Sequence, residues 1–427
     1  MERLQVRNFG PIESIDIEIK DINIFIGKTS SGKSTVAKLI SIFKSVEFAQ
    51  FEDIRFFKKK LADFNIEFEI KDSTVINYSN DTISVELINH QFKSDHTFRE
   101  VLLRLDHVFS SYQYGFEQRW DAVGLLLDSP IPEVTAVKNG KENQSLQRIN
   151  KKIKEIGELR TGFGKGELTD FDSLSKKYFS LLKDLVRESN VYNSLYVPAE
   201  RILLSMIAES LFGLLRNEVS IARSIKDFGA KFEKARSEIK KTAIDFLGIE
   251  FEYDDNVNFI KLSNNTRIRL EHTSSGYQSV TPLFLVLEYF LNRKELFKNC
   301  IVIEEPESNL YPTAQKDLIE YIISGKLISE DKLFITTHSP YVLTTIDNLI
   351  QAYNVAVREG KSPEEVEKIV PRKFWIDFDK VTCYYFENGS CRSTMDRETM
   401  TIGTSNIDDV SIQLGKTFDE LISLKYN

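Results

Sequence analysis

The stretch Gly27-Lys28-Thr29-Ser30-Ser31-Gly32-Lys33-Ser34-Thr35 constrains this chain more than any other. It follows an apolar run, Ile22 to Ile26, that reads as a strand, and precedes a helix-like run, Val36 to Phe43. Strand, glycine-bounded loop, Gly-Lys-Ser and helix, in that order, is a phosphate-binding loop in its proper setting. Gly27 and Gly32 let the backbone turn tightly and approach phosphates with no Cβ in the way. Successive N–H groups and the positive end of the next helix then face the anion. Lys33 is expected to place a compact charge near the β- and γ-phosphates, and the Ser34 hydroxyl to ligate Mg²⁺. The plain alternative, a serine-rich turn before a helix, does not account for the strand in front of it.

The 427 residues suffice for one large domain with insertions or for two or three smaller ones. Apolar residues make up 41% and charged residues 28%, which permits a buried core and excludes global disorder. The net charge of −8 argues against a protein coated in nucleic acid but leaves room for a local basic groove. Cys300, Cys383 and Cys391 are scattered and not spaced as metal ligands, which fits a reducing compartment. The N-terminus lacks the long apolar segment of a signal peptide. The longest apolar run, Leu283 to Leu291, is short of a membrane span and contains Glu288. The expectation is a cytoplasmic protein with no membrane segment.

Leu4, Val6 and Phe9, then Gly10-Pro11, then Ile15, Ile17 and Ile19 predict two antiparallel strands leading into the loop strand. Residues 36 to 62 read as helical, and strand-like runs follow at Ile66–Ile70, Val75–Tyr78 and Ile83–Ile88. Residues 1–95 are thus the first part of a split domain. A mainly helical insertion is expected over 96–190, with Leu146, Ile149, Ile153 and Ile156 on one helix face. A glycine-rich loop over 161–166 and a helix from Leu174 to Arg187 complete it. The domain resumes over 191–350, where Leu195-Tyr196-Val197-Pro198 reads as a strand ending at proline. Residues 223–241 carry four excess positive charges, an exposed helix face or a nucleic-acid surface. Residues 351–427 are expected to add a hairpin around Asn388-Gly389 and a final helix.

Three further runs carry chemistry. Ile301 to Pro312 starts as an apolar strand and ends in paired carboxylates, as a hydrolytic nucleotide site requires opposite its phosphate loop. Glu304 is placed to hold Mg²⁺ and Glu305, past the strand end, to polarise the attacking water. Leu333 to Pro340 is another apolar strand, ending in a polar turn with His338, a candidate γ-phosphate sensor. His272-Thr273-Ser274-Ser275-Gly276-Tyr277-Gln278 precedes an apolar helix and offers a second anion cradle, or an ordinary helix cap.

Phosphate loop, Ser-Ser-Gly-Tyr-Gln, Ile-Val-Ile-Glu-Glu-Pro-Glu and Thr-Thr-His-Ser-Pro, in this order, resemble the ABC-type ATPase heads. The likeness is to the RecF, Rad50 and SMC branch and to the ATPase half of overcoming-lysogenization-defect nucleases. Within that branch the chain most resembles stand-alone ATPases of bacterial anti-phage systems of the PARIS and Septu types. The opening Leu-Gln-Val-Arg-Asn-Phe-Gly-Pro-Ile and the run Tyr196 to Arg201 are similar as well. The resemblance implies an α/β fold: a split head with a mixed central sheet flanked by helices, an antiparallel β subdomain and a helical insertion.

It also implies roles. ATP and Mg²⁺ would be held by Gly27, Lys28, Thr29, Ser30, Ser31, Gly32, Lys33, Ser34 and Thr35, with Ser34 and Glu304 on the metal. Glu305 would be the catalytic base, with Lys33 and His338 beside it. Ser275, Gly276 and Gln278 would touch ATP held by a second subunit, and Ser308, Asn309 and Leu310 would cross that interface. Glu200 and Arg201 stand where a lobe-linking loop sits. Partners implied are a second or further copy bound through ATP and a separate effector, a nuclease or toxin. DNA is the alternative partner, as for a RecF- or Rad50-like repair ATPase. Two departures stand out: Glu304 replaces the usual Asp, and Tyr277 a glycine of transporter signatures. After His338 the chain offers Asp377-Phe378-Asp379 and the pair Asp408-Asp409 but no extended acidic motif, and no nuclease is expected. Asp377, Asp379, Asp408 and Asp409 read there as solvated acids.

Overall fold

A computed structural model describes residues 2–50, 53–96, 99, 137–138, 141–142, 144–164, 171–207, 221–293, 297–324, 331–403 and 406–426. Strands β1 (Glu2–Phe9), β2 (Ile12–Ile19) and β3 (Ile22–Gly27) precede the loop, and β4 (Val75–Ser79), β5 (Ile83–Ile88) and β6 (Gln91–His96) follow it. The short β7 (Val137–Lys138) and β8 (Lys141–Glu142) pair only with each other. Then come β9 (Tyr192–Val197), β10 (Lys241–Ile244), β11 (Ile249–Asp254), β12 (Val257–Lys261) and β13 (Arg267–Arg269). The last are β14 (Lys298–Glu304), β15 (Lys332–Thr337), β16 (Val381–Glu387), β17 (Ser390–Ser393), β18 (Met395–Asp396) and β19 (Thr401–Ile402).

Eleven strands make one mixed sheet in the order β6-β5-β4-β1-β2-β17-β16-β3-β15-β14-β9. One arm, β6 to β2, is antiparallel, and its strands alternate as half-buried strands do: Leu4, Val6 and Phe9 in β1 point inward. The other arm, β16-β3-β15-β14-β9, is parallel throughout. Its inner strands are nearly continuous apolar runs because helices cover both faces. Phe25 packs into the core on one face, with helix α1 (Lys33–Lys44). Ile24 and Ile26 pack into the other, with helices Ser275–Leu291, Pro312–Ile323 and Pro340–Tyr353. A separate antiparallel sheet, β10 to β13, was not legible as strands.

The helices expected around Leu146 to Ile156 and from Leu174 to Arg187 are present as Gln144–Gly164 and Phe171–Glu188, and Ile149, Ile153 and Ile156 are buried against the sheet's first core. Three expectations change. Ile66–Ile70 forms no strand; Ile66 N bonds to Leu61 O to close the preceding helix, and Phe68 lies edge-on against Phe9 at 5.4 Å. Packing, not a ladder, uses that apolar run. Thr161–Gly164 are the end of a helix rather than a loop, while Lys165 and Gly166 lie outside the described residues. The hairpin at Asn388-Gly389 exists, but it is no outlying addition: β16 pairs along its length with β3, the strand that carries the phosphate loop.

Candidate active site

The carboxyl ends of the parallel strands converge on one edge, the usual ligand side of such a sheet. From β3 the chain turns through Gly27 (φ 143°) into the loop. A Cβ on Gly27 would stand 2.0 Å from the Phe386 carbonyl oxygen of β16, so only glycine allows that approach. Lys28 N donates to the same oxygen at 3.2 Å, and the Lys28 ammonium pairs with Glu387. Lys33, in the first turn of α1, folds its ammonium back onto the loop. Its Nζ donates to Gly27 O at 3.0 Å and Lys28 O at 2.6 Å. Thr29, Ser30 and Ser34 are exposed; Ser31 is buried and its hydroxyl closes the loop on Lys28 O at 2.6 Å, and Thr35 is buried.

Lys33 is 5% exposed, and burial pulls its pKa down to about 8 against the raising fields of Glu305, Glu304 and Glu307. A triphosphate beside it would favour the ammonium, so binding should take up a proton near pH 8. Affinity for ATP should then fall as pH rises through about 8, where the free protein loses that charge. Titration calorimetry in two buffers of different ionisation enthalpy measures the uptake; equal heats in both would contradict it.

The three carboxylates at and just past the facing strand end, Glu304, Glu305 and Glu307, sit in different surroundings. Glu304, the last residue of β14, is 4% exposed. Burial raises its pKa, while Lys38 and hydrogen bonds from Ser34 and Tyr196 lower it. Its Oε1 is buried without a hydrogen-bond partner. An orphaned carboxylate oxygen beside the Ser34 hydroxyl fits a divalent cation that keeps phosphate and water as its other ligands. Among the described residues no group of three or more His, Cys, Asp or Glu is arranged to hold a metal ion.

Glu305 is half-exposed and takes a left-handed backbone, φ 43°. Its Oε2 accepts from the Ser308 hydroxyl at 3.1 Å, and its Oε1 lies 3.5 Å from His338 Nε2. Glu307 received no role from the sequence. Its Oε1 accepts from Thr337 Oγ1 at 2.6 Å and from His338 N at 2.9 Å, so it fixes the turn that carries the histidine. Ser339 Oγ donates to Gln315 Oε1 at 2.6 Å, and Gln315 Nε2 to Leu310 O at 2.9 Å. Gln315 thereby ties the histidine turn to the Ser308-Asn309-Leu310 loop. The acid after Glu304-Glu305-Pro306 was visible in the sequence; nothing there marked Gln315.

Ser275 opens the helix Ser275–Leu291 and is exposed. Gly276 is pressed on the Asn309 carbonyl, where a Cβ would lie 3.0 Å from the oxygen. Gln278 is placed otherwise than expected. It is 8% exposed, and its Nε2 donates to Glu271 O at 3.0 Å and Thr273 O at 2.9 Å, so it shapes its own turn. Arg201 is wholly buried behind Glu304, while Glu200 is exposed. Asp377 and Asp379 share Arg358, at 2.6 and 2.7 Å, and the side chains of Asp408 and Asp409 lie outside the described residues.

The sequence profile of the AAA ATPase domain matches residues 1–205 and 203–343. The chain belongs to that family. No curated protein matches this ATPase. Among solved structures it is similar to an Smc head bound to the C-winged helix domain of ScpA, at 11% identity and a TM-score of 0.37, covering 92% of this chain and 96% of that one. An SMC head from Thermotoga maritima gives 12% identity and a TM-score of 0.36 over 92% and 97%. A dimeric ATP-binding cassette in a post-hydrolysis state with ADP and Pi gives 8% and 0.29 over 91% and 97%. Superpositions this loose assign no role to any residue. Among the described residues no helix is long and apolar enough to cross a membrane.

Proposed function

We propose that this ATPase hydrolyses ATP at the edge where Lys33, Ser34, Glu304, Glu305 and His338 meet, and that two copies close over the nucleotide. Lys33 and the loop N–H groups bind the phosphates, and Ser34 with Glu304 would hold Mg²⁺, which neutralises charge on the departing phosphate. Glu305 orients the attacking water, and His338 faces the same carboxylate. Ser275 and Gly276 of each copy complete the site of the other. The closed pair is the signal to a separate effector, and anti-phage defence is the setting the motif set fits best.

One observation carries the dimer. Ser275 stands exposed at the start of a helix whose N-cap, Ser274, makes no side-chain cap bond, beside the exposed Asn309. Uncapped N–H groups at such an end seek an anion. The mass of a Glu305→Gln variant should double on adding ATP and Mg²⁺. Ser275→Arg should stay a monomer yet still bind ATP through Lys33. A strictly monomeric Glu305→Gln protein with and without ATP would remove the proposal. A second reading, a DNA-bound repair ATPase, draws on the exposed Lys226 and Lys234 of helix Arg223–Ile239 and on Lys240 just past its end. Salt-dependent DNA binding stimulated by ATP would favour it.

A further inference from the structure

Arg201 is fully buried and has no carboxylate within ion-pairing distance among the described contacts. Its guanidinium instead donates to five main-chain carbonyls. Nη1 reaches Glu304 O at 2.8 Å and Pro198 O at 3.2 Å. Nη2 reaches Glu305 O at 2.8 Å and Pro306 O at 3.2 Å. Nε reaches Ser279 O at 3.2 Å. A guanidinium has five N–H groups, so its capacity is matched. Desolvating a cation costs several kcal/mol, so space-filling alone does not account for an arginine here.

Two of the backbones it grips are irregular. Glu305 sits at φ 43°, a region unfavourable for a residue with a Cβ. It is held there by Glu305 N to Thr336 O at 2.9 Å, Ser308 N to Glu305 O at 3.1 Å and Arg201. The helix Ser275–Leu291 contains Pro282, which has no N–H for the Gln278 carbonyl one turn earlier. Ser205 Oγ takes that carbonyl at 2.7 Å, and Arg201 takes the next one, Ser279. The segment 198–205 therefore bridges the turn after Ser275-Gly276 and the end of β14.

We infer that Arg201 is a positioning residue that holds the Glu305 backbone in its left-handed conformation and makes the Ser275 helix and the catalytic carboxylate move as one body. This rests on the reading of Glu305 as the group that orients water. A second copy's nucleotide pressing on Ser275 would then act on Glu305 through Arg201, with no change at the phosphate loop. Lysine keeps the charge but offers one ammonium in place of a planar fork, and cannot span the five carbonyls.

The test compares wild type, Glu305→Gln, Arg201→Lys and Arg201→Gln, each with a fluorescent ATP analogue for affinity, saturating ATP for turnover, and thermal unfolding. Arg201→Lys should keep ATP affinity and a cooperative melt while turnover falls about 100-fold, the usual result of misplacing a reacting group by about 1 Å. Added methylguanidinium should restore part of the turnover in Arg201→Gln and none in Glu305→Gln. Turnover at the wild-type level in Arg201→Lys, or affinity and turnover lost in parallel with no rescue of Arg201→Gln, would overturn the inference. A wild-type protein without ATPase activity, or a fully active Glu305→Gln, would instead overturn the reading of Glu305 itself. Should the lysine variant not fold, the methylguanidinium rescue of Arg201→Gln decides.

Discussion

Glu305→Gln should lower ATP turnover at saturating ATP by about 100- to 10,000-fold, the contribution of a positioned general base, while ATP binding persists. The two adjacent carboxylates differ in surroundings, and the difference is what motivates the proposed division of roles. Glu304 is buried, its pKa is raised, and one of its oxygens lacks a partner, which suits a group waiting for a cation. Glu305 is accessible, with Ser308 on one oxygen and His338 near the other, which suits a group that receives water. Glutamine keeps the shape and can still accept from Ser308 but cannot take a proton. Glu304→Gln should behave differently, weakening the Mg²⁺-dependent part of ATP affinity. Single-turnover kinetics on both variants separates binding from chemistry. Unimpaired turnover in Glu305→Gln would move the base elsewhere.

Gly27→Ala should cost roughly 3 kcal/mol of unfolding free energy and most of the ATP affinity, from left-handed strain and overpacking together. Strain at φ 143° is one part, and the clash of a Cβ with Phe386 O at 2.0 Å is the larger, because a backbone oxygen cannot swing aside. Relief requires β16 to part from β3, which breaks their parallel ladder and the bond from Lys28 N to Phe386 O. The phosphate loop would lose its support on that side. Urea unfolding with and without ATP checks both halves of the expectation. A variant as stable as wild type would mean that the close contact of β3 and β16 yields readily.

The site was legible to the extent that it is written in local sequence. The phosphate loop, Glu304-Glu305 and His338 each end an apolar strand, and in a parallel sheet the carboxyl ends of such strands meet on one edge. That rule brings Lys33, Ser34, Glu304, Glu305 and His338 to the same edge. The surroundings of Gln278 were not legible, because a glutamine in a serine-glycine turn looks available to a ligand. Its amide instead satisfies two carbonyls of its own turn, Glu271 and Thr273, which no spacing rule reveals. Ile66–Ile70 misled because apolar residues fill a core equally well from a coil as from a strand.

What the residues alone determined is which side chains stand at the ends of apolar strands with chemistry suited to phosphate, a cation and water, because that depends on a few neighbours in the chain. What the tertiary structure decided is the scaffold around them. Strand β16, from 350 residues beyond the loop, presses against Gly27; Arg201 binds carbonyls of Pro198, Ser279 and Glu304 to Pro306; Glu307 holds the turn of His338. Each of these contacts involves main-chain atoms, mostly meeting groups distant in the sequence. Backbone oxygens carry no sequence signature, so their partners emerge only when the chain has folded.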